Sequence, residues 1–325
     1  MHYSRNHLLI ILSFVVLFFF SFSVSYADLV YISKASTSGI MGMGKMDMET
    51  TTMLKGDKQR QDTKTKFVGA MVQYMPGGGE QNQITITRLD KELIWNINIT
   101  DKTYTEMTFD QVKKMMERMK SQIRKKPEEE EAKFQFDVKK TGQKKKIGGY
   151  ECEEHFIKMI AEGRDPQTGK VQEFEVQTHL WVSSKVKGYD QLQDYQKKMA
   201  QKMGWEGGQY ANFAQGLGQF GLDTEGLAKK MNEIKGFPML TVVKMKSFGE
   251  EMAEAEEERA EQEKAMREAM ELLGKKVEKE EKPKEKGLIF EMATEVTEVQ
   301  VKGVADSEFE LPQGMKKQDM LLPTR

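Results

Sequence analysis

Two runs, Ile84-Thr85-Ile86-Thr87-Arg88-Leu89 and Leu93-Ile94-Trp95-Asn96-Ile97-Asn98-Ile99, alternate between apolar and polar residues. A period of two sends successive side chains to opposite faces of an extended strand, which a helix cannot reproduce. Thr100-Asp101-Lys102 turns the chain, and Thr103 to Met107 pairs back. The pattern is that of an antiparallel meander with one wet face.

The same reading extends along the chain. Met46 to Met53 alternates and is a strand candidate. Asp57 to Phe67 is a polar run and reads as an exposed strand with charges on both faces. Met75 to Glu80, rich in glycine, is a loop. A second β block opens at Ala132, with Tyr150 to Ile160 and Val171 to Val182 as the arms of a long hairpin. Phe174, Val176, Leu180 and Val182 share one face of the returning arm. Pairing centred near Pro166 puts Cys152 on the face of Leu180, and His155 on the face of His179. Met239 to Phe248 and Leu288 to Val301 are further strands, and residues 307–312 close the fold.

Helical periodicity appears in three places. Thr108 and Gln111 have capping-box spacing, and Phe109, Val112, Met116, Met119 and Ile123 fall on one face before Pro127. Residues 186–236 carry the stripes Leu192, Tyr195, Met199, Met203 and Tyr210, Phe213, Leu217, Phe220, then a short helix from Thr224 to Ile234. Residues 250–286 are rich in glutamate and alanine. They interrupt the β pattern and read as an exposed helical insertion between neighbouring strands.

The first residues differ in kind. An apolar run from Leu8 to Val24 ends at Ser25-Tyr26-Ala27, small residues at the −3 and −1 positions of a cleavage site. This is a signal-peptide layout over residues 1–27, leaving 28–325 as one domain outside the cytoplasm, periplasmic or secreted. An uncleaved anchor is the alternative. No cysteine lies near the site, so a lipid anchor is not expected. Cys152 is the single cysteine, so the exported fold has no internal disulfide to rely on.

Composition narrows the function classes. Fifty basic and 51 acidic residues give a net charge of −1, with no basic patch interleaved with aromatics, so nucleic acid is not an expected partner. The glycine clusters lack phosphate-loop spacing, and no serine sits in a nucleophile elbow. Met41, Met43, Met46 and Met48 could offer soft ligands to Cu(I), although a regular strand sends the first two and last two to opposite sides. Methionine filling an adaptable apolar groove is the plainer reading of the 24 in the chain. His155, His179 and Glu153 could form a metal site, but on a face that also carries Glu151, Glu173 and Glu175. Cys152 finds no histidine on its own face to act as a base, and no cofactor is expected.

Three stretches then carry a resemblance: Ile147-Gly148-Gly149-Tyr150-Glu151-Cys152 with Leu180-Trp181-Val182-Ser183, Gly236-Phe237-Pro238, and Phe309-Glu310-Leu311-Pro312-Gln313-Gly314-Met315. Together they resemble the secreted domain-of-unknown-function 4412 family, which is similar to the LolA/LolB lipoprotein-carrier fold. The resemblance implies an α+β architecture: a curved antiparallel half-barrel sheet with helices over its concave side. Here those would be residues 109–124 and 190–236, with 250–286 as the acidic insertion. It also implies a concave side that can hold acyl chains; the expected protein is monomeric and non-enzymatic and binds a lipid, an acyl chain or an envelope protein segment. The expected lining is Trp95, Phe109, Met116, Met119, Phe174, Val176, Tyr210, Phe213 and Phe220. A Cu(I)-binding protein and an interaction protein acting through the acidic helix are the alternatives.

Overall fold

The computed structural model describes residues 28–38, 45–68, 79–124, 133–164, 171–204, 224–248 and 287–319. In chain order the strands are β1 (Asp28–Ser38), β2 (Lys45–Lys55), β3 (Lys58–Val68), β4 (Glu80–Arg88), β5 (Leu93–Asn98) and β6 (Thr103–Thr108). Helix α1 (Phe109–Arg124) leads to β7 (Lys133–Ile147), β8 (Tyr150–Arg164) and β9 (Val171–Ser183). Helices α2 (Tyr189–Met203) and α3 (Thr224–Met231) precede β10 (Phe237–Phe248) and β11 (Leu288–Lys302). A single 3-10 turn, Asp306–Phe309, and the two-residue β12 (Lys316–Lys317) end the described chain.

All twelve strands form one sheet in the order β12-β6-β5-β4-β3-β2-β1-β11-β10-β9-β8-β7. Two meanders, β1–β6 and β7–β11, are joined where β11 returns to pair with β1, from Asp28↔Lys302 to Ser38↔Glu291. Every pairing is antiparallel except that of β12 with β6. The sheet is open, with β12 and β7 at its edges. β7 carries six lysines, which protect such an edge from pairing with another chain.

The helices gather at one end of the sheet. Phe109 of α1 and Leu192, Tyr195 and Met203 of α2 pack with Leu29, Leu54 and Leu89 at the ends of β1, β2 and β4. Met231 and Ile234, at and just beyond the end of α3, pack with Ile157, Met159, Leu180 and Val182. The local reasons are legible. Thr108 N–H donates to Gln111 Oε1 at 2.8 Å and the Gln111 N–H donates back to Thr108 Oγ1 at 3.3 Å, a closed capping box at the start of α1. Gly188 precedes α2 with φ 80°, and a β-carbon there would stand 3.0 Å from Leu29 Cδ1.

On the other side of the sheet the C-terminal tail does the covering. Val304, Phe309, Leu311 and Met315 pack with Ile84, Ile86, Trp95 and Ile97 of β4 and β5. Arg88 Nη1 donates to the Phe309 carbonyl and Glu310 Oε1, and Arg60 Nη1 to the Glu308 carbonyl and Oε2. Lys58 reaches Asp306 at 2.8 Å.

Three expectations are corrected here. The half-barrel with helices over its concave side is not what forms. The molecule is a large, open, mixed twelve-stranded sheet with three short described helices, and these occupy one end of a face rather than covering it. The charges of Asp57 to Phe67 do not lie on both faces. Within β3 the charged residues Lys58, Arg60, Asp62, Lys64 and Lys66 pair with Arg88, Ile86, Ile84, Asn82 and Glu80 on one side. Gln59, Gln61, Thr63, Thr65 and Phe67 take the other. Finally, the β8–β9 hairpin pairs His155 with Leu180 and Phe156 with His179, which sets the two histidines on opposite faces and Cys152 on the face opposite Leu180. The register differs from the expected one by an odd number of residues, and an odd slip flips every side chain. Strand β1, not expected from its sequence, is the link between the two meanders. Residues 1–27, 250–286 and 205–223 lie outside the described residues, and with them the expected signal peptide, the expected helical insertion and the stripe from Tyr210 to Phe220.

Candidate functional site

The register divides the sheet into a charged face and an uncharged one. On β2 to β6 twenty positions share the uncharged face: five each on β2 and β3, four on β4, three each on β5 and β6. None is Asp, Glu, Lys or Arg, whereas a chain that is 31% charged would place about six such residues there by chance. Fourteen of the twenty are Thr, Gln or Asn. The face continues without a charge through Ser33, Ala35 and Thr37 of β1 to Phe290, Met292 and Thr294 of β11. It then passes through Val243 and Met245 of β10, Val176 and Thr178 of β9, and Ile157 and Met159 of β8. The first charges on it stand at its margins: Lys316 of β12, beside Thr103, and Lys140 and Glu153 towards one end of the β7–β8 pair.

Its two halves differ. From β2 to β6 it offers hydroxyls and amides, several paired with each other: Thr50 and Thr63 hydroxyls at 3.1 Å, and the Thr85 hydroxyl donating to Asn96 Oδ1 at 3.1 Å. From β8 to β11 it is mostly aliphatic, thioether and aromatic. There the Thr178 and Ser247 hydroxyls are buried with no hydrogen-bond partner among the described residues. At the helical end Tyr195 is buried and Tyr31 half-buried, and burial pushes both phenols up. Away from that end Met48, Thr65, Val243 and Met292 are half-buried, and Gln83 and Phe174 are exposed.

The charged face carries the titratable groups. Glu154 is buried, accepts a hydrogen bond from Thr141 Oγ1 at 2.7 Å and pairs with His179 Nδ1 at 2.7 Å. Burial pushes its carboxyl up, but these two partners outweigh burial and hold it below the ordinary value. The His179 ring stands 4.9 Å from that of Phe156. This is a carboxylate orienting a histidine. Cys152, buried with its thiol pushed up by burial, is not the activated nucleophile that would complete a catalytic set. His155, on the other face, is pushed down first by burial and then by Lys140. No cluster of metal-ligating His, Cys, Asp and Glu occurs among the described residues. An open depression of about 710 Å³ on the charged face is bordered by Lys34, Glu49, Lys64, Lys66 and Glu295.

The residues expected to line a ligand site fall into four groups. Phe174 and Val176 are on the uncharged face. Trp95 is on the charged side beneath the tail, its indole N–H donating to Glu106 Oε2 at 2.9 Å. Phe109 is in the core at the helical end, and Met116 of α1 is half-buried. Met119 belongs to α1, and Tyr210, Phe213 and Phe220 lie outside the described residues. Of the four methionines considered for copper, Met46 and Met48 share the uncharged face, while Met41 and Met43 are not described. The Thr, Gln and Asn positions were missed because each is unremarkable alone; the signal is the period-two separation of charge in β3.

No protein-family model matches the chain, and no curated protein matches it. Among solved structures it is similar to a domain from Vibrio parahaemolyticus assigned to outer membrane lipoprotein sorting. That likeness has 8% identity and a TM-score of 0.23, over 88% of this chain and 90% of the other. No described helix is long and apolar enough to cross a membrane.

Proposed function

We propose that this is an exported, non-enzymatic binding protein for a hydrophobic ligand that lies on the uncharged face of the sheet. The observation that carries the reading is the continuous absence of charge from β6 to β9 in a chain where almost a third of residues are charged. A face turned only to water has no reason to exclude lysine and glutamate, which solvate cheaply there. A face that contacts an apolar molecule does, because a buried unpaired charge is costly. Methionine suits such a surface, since its flexible thioether adapts to varied shapes.

Nile red, a neutral apolar dye, tests it. Saturable, stoichiometric binding is expected, weakened at least about tenfold by Val243→Asp with Met245→Asp, each charge standing where an apolar contact was. Binding that is absent, or unchanged in the double variant, overturns the reading. Mass spectrometry of solvent extracts of the protein purified from its own host then identifies the ligand.

A further inference from the structure

We propose that the ligand is an amphiphile whose head is electrically neutral and rich in hydroxyl or amide groups, of the neutral glycolipid kind, rather than a phospholipid or another anionic lipid. The inference rests on the proposed hydrophobic-ligand reading and specifies the ligand class. A face built only for acyl chains would be apolar across its whole width. This one changes character midway. The β8–β11 half, with Val176, Val243, Met245 and Met292, matches a hydrocarbon chain. The β2–β6 half carries fourteen Thr, Gln and Asn side chains, each both donor and acceptor.

A phosphate or carboxylate head needs a cation, and Arg and Lys are the usual partners. The protein has such residues on these strands, yet Arg60, Lys64, Lys66 and Arg88 all lie on the opposite face. Arg60 and Arg88 are further committed to Glu308 and Glu310 of the tail. An anionic head placed against Thr63, Thr85 and Asn96 would lose hydration and meet only neutral dipoles. A neutral polyhydroxyl head exchanges its water for hydroxyl and amide partners at little net cost. Discrimination comes from the penalty on the charged competitor as much as from attraction to the neutral one.

The test is isothermal titration of the full mature chain at pH 8 with two probes of equal chain length below their micellar concentrations: dodecyl maltoside and dodecyl phosphate. The maltoside is expected to bind on the order of tenfold more tightly or better, the scale of one uncompensated charge at a partly buried site. Thr63→Lys should narrow or reverse that ratio. Gln83→Lys, at an exposed position on the same face, does the same and keeps the test decisive if Thr63→Lys fails to fold. Equal affinities, tighter dodecyl phosphate, or ratios unmoved by either lysine overturn the neutral-head inference and leave the hydrophobic-ligand reading standing. Failure of both probes to bind saturably overturns the two together.

Discussion

Glu154 shows how one residue is held where its chemistry is awkward. A carboxylate in a sheet interior is tolerated because Thr141 and His179 both satisfy it. Its folded-state pKa lies below the unfolded value of 4.5, so its contribution is fully present above that value and is lost as pH falls through the folded one. Glu154→Gln should cost about 1–3 kcal/mol at pH 7, with the gap to the parent narrowing as pH falls below 4.5 in denaturant titrations. A constant gap would show that charge is not the contribution. At Cys152, burial and the raised thiol pKa predict no reaction with a maleimide at neutral pH in the native protein and complete reaction after unfolding. Neither behaviour was legible in sequence. The odd register slip of β8 against β9 decides which side chains Glu154 and Cys152 meet, and spacing about a loop cannot set that parity.

Among elements, the C-terminal tail is the one whose role depends most on contacts distant in sequence. Phe309 is fully buried over Ile86 and Trp95, more than two hundred residues upstream of it. Phe309→Ala should cost about 3–5 kcal/mol in equilibrium unfolding, the range for an aromatic removed from a core. Its backbone grip adds a smaller share: Arg88→Ala leaves the Phe309 carbonyl without its donor and takes the arginine from Asp90 and Glu310, of which Glu310 keeps Lys91, a loss of about 1–3 kcal/mol. If Arg88→Ala proved the larger loss, the tail would be held by charge rather than packing. Helix α1 is the opposite case. Its Thr108/Gln111 box and apolar stripe are local, and both its start and its end before Pro127 agree with the sequence reading. Helix α2 ends at Met203, and residues 205–223, also read as helical, lie outside the described residues.

At the scale of the molecule, the β1–β11 ladder makes two meanders into one sheet. Leu29, fully buried at its end, packs with Leu54 and Phe237, one from each half. Leu29→Ala should therefore speed hydrogen exchange in β4–β6 and in β8–β10 by a similar factor, as expected for one cooperative unit. Acceleration in one half alone would show two units. The same ladder makes the uncharged face continuous, so that its polar and apolar halves become one surface.

By itself the sequence determined most of the strands and the capping box of α1, because each is set by neighbours a few residues apart. Only the tertiary structure decided that β1 joins the halves, that Trp95 lies under the tail, and that helices sit at one end of the sheet instead of spanning it. Those outcomes depend on strand order, register parity and bulges, which arise from pairings between residues far apart in the chain and leave no mark in its local periodicity.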